Sequence, residues 1–274
     1  MMRYSNQRRV GLILFVLLSA GIIWECRRYA GVLPRLPYLT GWVLFALMVL
    51  LAVYNGRKKL PFLPLLSSEA WLQFHIYAGL LTGTLFAVHI SYRIPSGAFN
   101  VILASLYFLV MFSGIVGLFI SREIPKRLTT RGGEVLFERI PSIRLQLRER
   151  TEKLALASVS QARAGTIADF YWRELSQFFE ESKNVVGHLL QRRRPLNNLQ
   201  MKISDVNRYL NADERATMQQ IADLVNQKDG LDYHYAHQLL LKLWLFVHIP
   251  LTYSLLIFSL AHIVLVFAFS GGTR

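Results

Sequence analysis

Four histidines, His75, His89, His248 and His262, fall into two copies of one arrangement, and their side chains are the ones in this sequence best suited to chemistry. Trp71 stands four residues before His75 and His89 fourteen after it; Trp244, His248 and His262 repeat both intervals. At about 1.5 Å and 100° per residue, fourteen residues carry the second His about 21 Å along a helix and return it to within about 40° of the first. Each segment therefore presents two imidazoles on one face at two depths. Two such helices side by side make two pairs of facing histidines, one pair above the other, which is the ligand set of two stacked six-coordinate haems.

The elements that must position these residues are membrane spans. Of the 274 residues 53% are hydrophobic, and several apolar runs are long enough to cross a hydrocarbon core of about 30 Å. The expected fold is all-α, a multi-pass transmembrane helical bundle of about five spans with an inserted helical cytoplasmic domain. The formal charge of +14, from 31 Lys and Arg against 17 acids, would suggest nucleic acid in a soluble chain. Beside spans, basic loops set topology and meet anionic head groups, so the expected partner is the lipid bilayer and not nucleic acid. The single cysteine, Cys26, excludes an iron–sulfur cluster, an internal disulfide and a C-x-x-C-H haem attachment. A haem here is therefore non-covalent.

Met1 to Arg9 is short and basic, and Val10 to Trp24 is a compact apolar run. Small residues at Ser19-Ala20-Gly21 resemble a signal peptide, but a second apolar run follows closely and favours an uncleaved first span. Thr40 to Tyr54, Trp71 to Ser91 and Phe99 to Ile120 are the next three spans, with prolines, glycines and basic residues between them. From Arg122 to Asp232 the character changes, with 19 of the 31 basic residues and 15 of the 17 acids and no apolar run of membrane length. Helical spacing of Ile143, Leu147 and Leu154, and of Phe170, Leu175, Phe178 and Phe179, predicts helices there. Asn211-Ala-Asp-Glu214 reads as a capping box opening a helix to about Lys228, before Gly230. The last element is expected from about Asp232 to Phe269, with a kink at Pro250. The domains are thus 1–121, 122–232 and 233–274. The distribution of Lys and Arg puts the N-terminus and 122–232 on the cytoplasmic side, as in a bacterial inner membrane.

The third and fifth spans share a direction, so His75 pairs with His248 and His89 with His262, placing two irons about 20 Å apart along the membrane normal. Gly79 and Gly83, on the His75 face, either clear space for a porphyrin or serve ordinary close helix packing. Trp71 and Trp244 read as interfacial belt residues. Lys242 and the Arg57-Lys58-Lys59 run are placed for the propionates of one haem and Arg93 for those of the other. His188 reads as a solvated helix residue. His234 and His237 read as exposed, with metal binding or approach to a haem as the alternative.

The doubled H-x13-H resembles the membrane part of di-haem b-type cytochromes, in particular the ferric-reductase-like family, over roughly residues 40 to 120 and 237 to 270. That resemblance implies transmembrane electron transfer through two haem b groups, with His75, His89, His248 and His262 as axial iron ligands. The 274 residues contain no G-x-G-x-x-G, so flavin and nicotinamide chemistry is expected on a separate protein. The expected role is an electron-transfer subunit of an oxidoreductase complex, with no catalytic residue of its own. Its donor would be a flavin or iron–sulfur protein or quinone on the cytoplasmic side, its acceptor an external protein such as a c-type cytochrome. Two other classes remain open: a transporter or metal-ion channel using the same histidines, and a non-catalytic anchor or signalling protein whose helical domain is the working part. Against the transporter, the acids outside 122–232 are only Glu25 and Glu69, both at span ends.

Overall fold

Five segments have the length and apolarity to cross a bilayer, and all five are helices in the computed structural model, which describes residues 4–29, 36–53, 68–129, 135–162, 165–180 and 184–270. They are α1 (Tyr4–Tyr29), α2 (Leu36–Val53), α3 (Ser68–His89), α4 (Ala98–Thr129) and α10 (Ala212–Ser270). Between α4 and α10 come a 3-10 turn at Phe137–Arg139, α5 (Ile140–Ala162), α6 (Thr166–Phe170), a π turn at Tyr171–Leu175, α7 (Ser176–Glu180), α8 (Val185–Leu189) and α9 (Arg194–Asn207). The described residues contain no strand, and the fold is all-α. Side chains such as Leu17, Phe112 and Phe246 are 63%, 66% and 77% exposed. Such faces suit hydrocarbon and not water, and the chain is an integral membrane protein.

The chain divides into a membrane unit, residues 1–119 with 244–274, and a polar unit, residues 120–243. In the membrane unit α3 packs against both α1 and α2. Gly11 of α1 lies under the Tyr77 ring, and Thr84 Oγ1 donates to Ser19 Oγ at 3.2 Å. Leu44, Met48, Leu85, Phe86, Tyr107 and Leu255 form the buried core. α3 ends at His89 because Ser91 and Tyr92 adopt left-handed φ of 53° and 56°. Their amides bond back to Val88 O and Ala87 O, both at 2.9 Å, which closes the helix end without the usual glycine.

In the polar unit Ile140, Leu147, Tyr171, Leu175, Ile203 and Ile221 belong to one core. Leu196, Leu199, Ile203 and Val206 of α9 recur at 3.6-residue spacing and turn to that core. The capping box expected at Asn211 is formed: Glu214 N donates to Asn211 Oδ1 and Asn211 N donates to Glu214 Oε2, each at 2.9 Å. Asn211→Ala is expected to cost about 1 kcal/mol, read as roughly fivefold faster hydrogen exchange in the first turn of α10.

One expectation about α10 fails. No break occurs at Gly230, because the surrounding face, with Lys228, Leu231, Asp232 and Tyr233 all buried, is held by packing, and glycine costs a helix only about 1 kcal/mol. Residues 233–243, expected to start the last helix, group by packing with the polar unit. Pro250 lies inside α10 without ending it. α4 likewise runs past Ile120 to Thr129 through Pro125. The turn expected around Gly132-Gly133 lies outside the described residues.

Candidate functional site

All four paired histidines belong to the membrane unit. The His89 and His262 rings lie edge to face, with centres 6.4 Å apart and planes at 84°. Two metal–nitrogen bonds of about 2.0 Å, plus about 1.1 Å from each nitrogen to its ring centre, sum to about 6.2 Å, close to this separation of the ring centres. Beside the pair opens a cavity of about 370 Å³, bounded by His89, His262, Gly41, Phe86, Tyr107 and Leu255 among others, with Arg93 also on its wall. That volume lies within the usual range for an organic ligand or cofactor.

The first turn of α2 sets the His89 ring. Nδ1 lies 3.1 Å from the Pro37 carbonyl and 3.4 Å from Thr40 Oγ1. A carbonyl only accepts, so the Nδ1 proton points to Pro37 and Nε2 keeps its lone pair for a metal. Gly41 permits this approach, since a Cβ there would meet His89 Cε1 at 2.9 Å. On the other side Phe99 stacks on His262, with centres 6.3 Å apart and planes 12° apart.

His75 and His248 lie within electrostatic range of each other, and both are half-buried. His248 Nδ1 sits 3.2 Å from Ser113 Oγ, and Thr252 Oγ1 donates to the His248 carbonyl at 2.8 Å. Trp244 stacks on His248 at 5.4 Å, donates its indole N–H to the Ser113 carbonyl at 2.9 Å and covers Gly117. Trp244 is thus packed within the bundle and not simply an interfacial belt residue. With His89 beside His262 and His75 within electrostatic range of His248, α3 and the membrane-spanning part of α10 run in the same direction.

The remaining expected site residues divide. Nothing lies within 4 Å of the place a Cβ would take on Gly79, which leaves open space beside His75, whereas Gly83 abuts the Met111 methyl, 2.9 Å from the corresponding position. Arg93 is exposed and makes no ion pair among the described residues. Lys242 belongs to the polar unit, where its ammonium bonds Glu138 Oε1 at 2.8 Å and lies 3.9 Å from the centre of the Phe137 ring. That hydrogen bond holds the Glu138 carboxyl below its ordinary range. The Arg57-Lys58-Lys59 run lies outside the described residues.

His188, His234 and His237, expected to be solvated, are 8%, 4% and 1% exposed. They adjoin a buried network in which Lys228 pairs with Asp232, Arg144 lies 3.7 Å from Asp232 and His188 Nε2 lies 3.9 Å from Asp229 Oδ1. The signal was present in the four-residue steps Asp229, Tyr233, His237 and Lys228, Asp232, a polar stripe on the core-facing side of a helix. The sequence reading also missed the residues that hold the histidines, namely Pro37, Thr40 and Gly41 of α2 and Phe99, Ser113 and Gly114 of α4. Clusters of small residues at Thr40-Gly41 and Ser113-Gly114 were their only local mark. No group of three or more His, Cys, Asp or Glu able to hold a metal ion occurs among the described residues. Compared with family models, curated proteins and solved structures, the chain matches none.

Proposed function

We propose that this chain is a di-haem b-type membrane cytochrome, relaying electrons across a bacterial inner membrane between a cytoplasmic-side flavin protein, iron–sulfur protein or quinone and an external acceptor such as a c-type cytochrome. The observation that carries the reading is the 6.4 Å separation of the His89 and His262 rings beside a cavity of about 370 Å³. Two imidazoles are a sparse ligand set for a bare ion but would complete the coordination of a metal that already has a macrocycle.

His89 with His262, and His75 with His248, would hold the two haems. Bound there, haem would supply reversible one-electron chemistry at iron. Pro37 and Thr40 hold the His89 tautomer, and Ser113 orients His248. Phe86, Tyr107 and Leu255 exclude water from the His89–His262 cavity. Arg93, exposed and on that cavity's wall, offers its guanidinium to a carboxylate of the bound group. The greater load of Lys and Arg in 122–232 and the N-terminal segment favours a cytoplasmic location for both.

A dithionite-reduced minus oxidised optical spectrum of the detergent-purified protein, with a pyridine haemochrome assay of haem per chain, tests the proposal. About two low-spin b haems per chain are expected. Absence of haem after expression with haem supplied rejects it.

A further inference from the structure

Independently of any electron relay, the turn joining α8 to α9 has an unusual surface. α8 is bracketed by two left-handed residues, Asn184 with φ 72° and Gln191 with φ 57°. Arg192 N closes the turn on Gly187 O at 2.8 Å. Buried His188 holds its inner side. One turn apart on the outer side, Val186 and Leu190 are 66% and 59% exposed. Arg192, Arg193 and Arg194 follow at once, all exposed and none in an ion pair among the described residues. From α4, Arg127 Nη1 reaches the Leu189 carbonyl at 3.5 Å. Arg127 comes only seven residues after Ile120 in the sequence, where the apolar run of α4 ends.

Aliphatic side chains beside unpaired guanidiniums match a lipid interface, which accepts apolar groups at its acyl boundary and offers phosphate oxygens for forked hydrogen bonds. We propose that Val186, Leu190 and Arg192–Arg194 form a surface that binds the phosphate head groups of anionic phospholipid, in the membrane that the chain spans. Its role is to hold the α8–α9 turn against the bilayer surface. A water-exposed loop would leave two aliphatic side chains and three uncompensated charges in solvent with no gain.

The test uses the full chain with Cys26→Ser and Leu190→Cys, an environment-sensitive fluorophore on the new thiol, and reconstitution into vesicles of phosphatidylglycerol or of phosphatidylcholine. Lipids carrying a nitroxide at the head group are expected to quench the label strongly in phosphatidylglycerol. Quenching should fall to the phosphatidylcholine level when Arg192, Arg193 and Arg194 are all changed to Gln. At about 1 kcal/mol per arginine, the lipid-engaged fraction drops by an order of magnitude or more. A label at Tyr209→Cys, 85% exposed elsewhere on the same unit, should stay unquenched. Equal quenching at both positions, no quenching at 190 in either lipid, or quenching indifferent to the three arginines overturns the proposal. So does a label shielded only when polyglutamate is added to phosphatidylcholine vesicles, which would assign the surface to an acidic protein. All the variants in the polar unit sit on exposed side chains, and tryptic resistance of that unit checks that each is folded.

Discussion

On the di-haem reading proposed above, replacing His262 with alanine is expected to lower the haem content from about two per chain to about one, and the haem that remains should keep a low-spin spectrum. The His262 ring centre lies 6.4 Å from that of His89, so its loss leaves that site with one protein nitrogen, while the His75–His248 pair keeps both of its own. His89→Ala should give the same result, and His75→Ala or His248→Ala should empty the other site. Gly41→Leu touches no iron, yet it is expected to reproduce His89→Ala. A Cβ at Gly41 would meet the His89 ring at 2.9 Å, and the larger side chain forces that ring out of the position Pro37 and Thr40 give it. Three outcomes are distinguishable by pyridine haemochrome assay and near-ultraviolet spectra. Selective loss of one haem supports two separate pairs. Loss of both haems from any single substitution means that the pairs do not bind independently. Unchanged haem in every variant means that the histidines serve helix packing alone.

What the sequence disclosed and what it hid follow from the range of the interactions involved. The fourteen-residue repeat is a property of one helix at a time, so the approach of His89 to His262 was legible from helical periodicity. The residues that orient these rings lie on α2 and α4, and no rule of spacing connects Pro37 to His89 or Ser113 to His248. Those contacts exist only once helices pack. Trp244 illustrates the same limit: a tryptophan near a span end is ordinarily an interfacial anchor, but the approach of α4 at Gly117 draws its indole onto the Ser113 carbonyl.

In the polar unit, composition misled for a different reason. Mixed charges between Arg122 and Asp232 suggested solvated helices, and Gly230 suggested a stop. Burial overrode both, because α10 passes through the unit's core and carries its polar stripe inward. A helix break there would strand Lys228 away from Asp232. The capping box at Asn211 was legible because its partners are three residues apart, within reach of a purely local reading.

That buried stripe leads to the second large effect. Lys228 has no solvent exposure and Asp232 is 2% exposed; the ammonium bonds the carboxylate and lies 4.2 Å from the centre of the Phe178 ring. Asp232→Ala is expected to destabilise the polar unit by about 3–5 kcal/mol, because it removes the carboxylate hydrogen-bonded to a buried ammonium and lying beside Arg144. Hydrogen exchange of the slowest amides in α5 and in the part of α10 before Leu243 should accelerate roughly 10² to 10³-fold. Lys228→Met with Asp232→Leu removes both charges and should recover most of the loss, since a buried pair replaced by apolar side chains of similar size is often neutral. Burial already holds the Lys228 ammonium below its ordinary range, with Asp232 opposing that shift. Without Asp232 the folded-state value falls further. The unfolded chain then binds a proton that the folded chain lacks, over the window from the folded value up to the ordinary lysine value, and stability rises with pH there. The defect of Asp232→Ala should therefore shrink as the pH is raised through that window. A defect that stays constant with pH, or a double variant no more stable than the single one, would show that the cost lies in lost packing and not in a stranded charge.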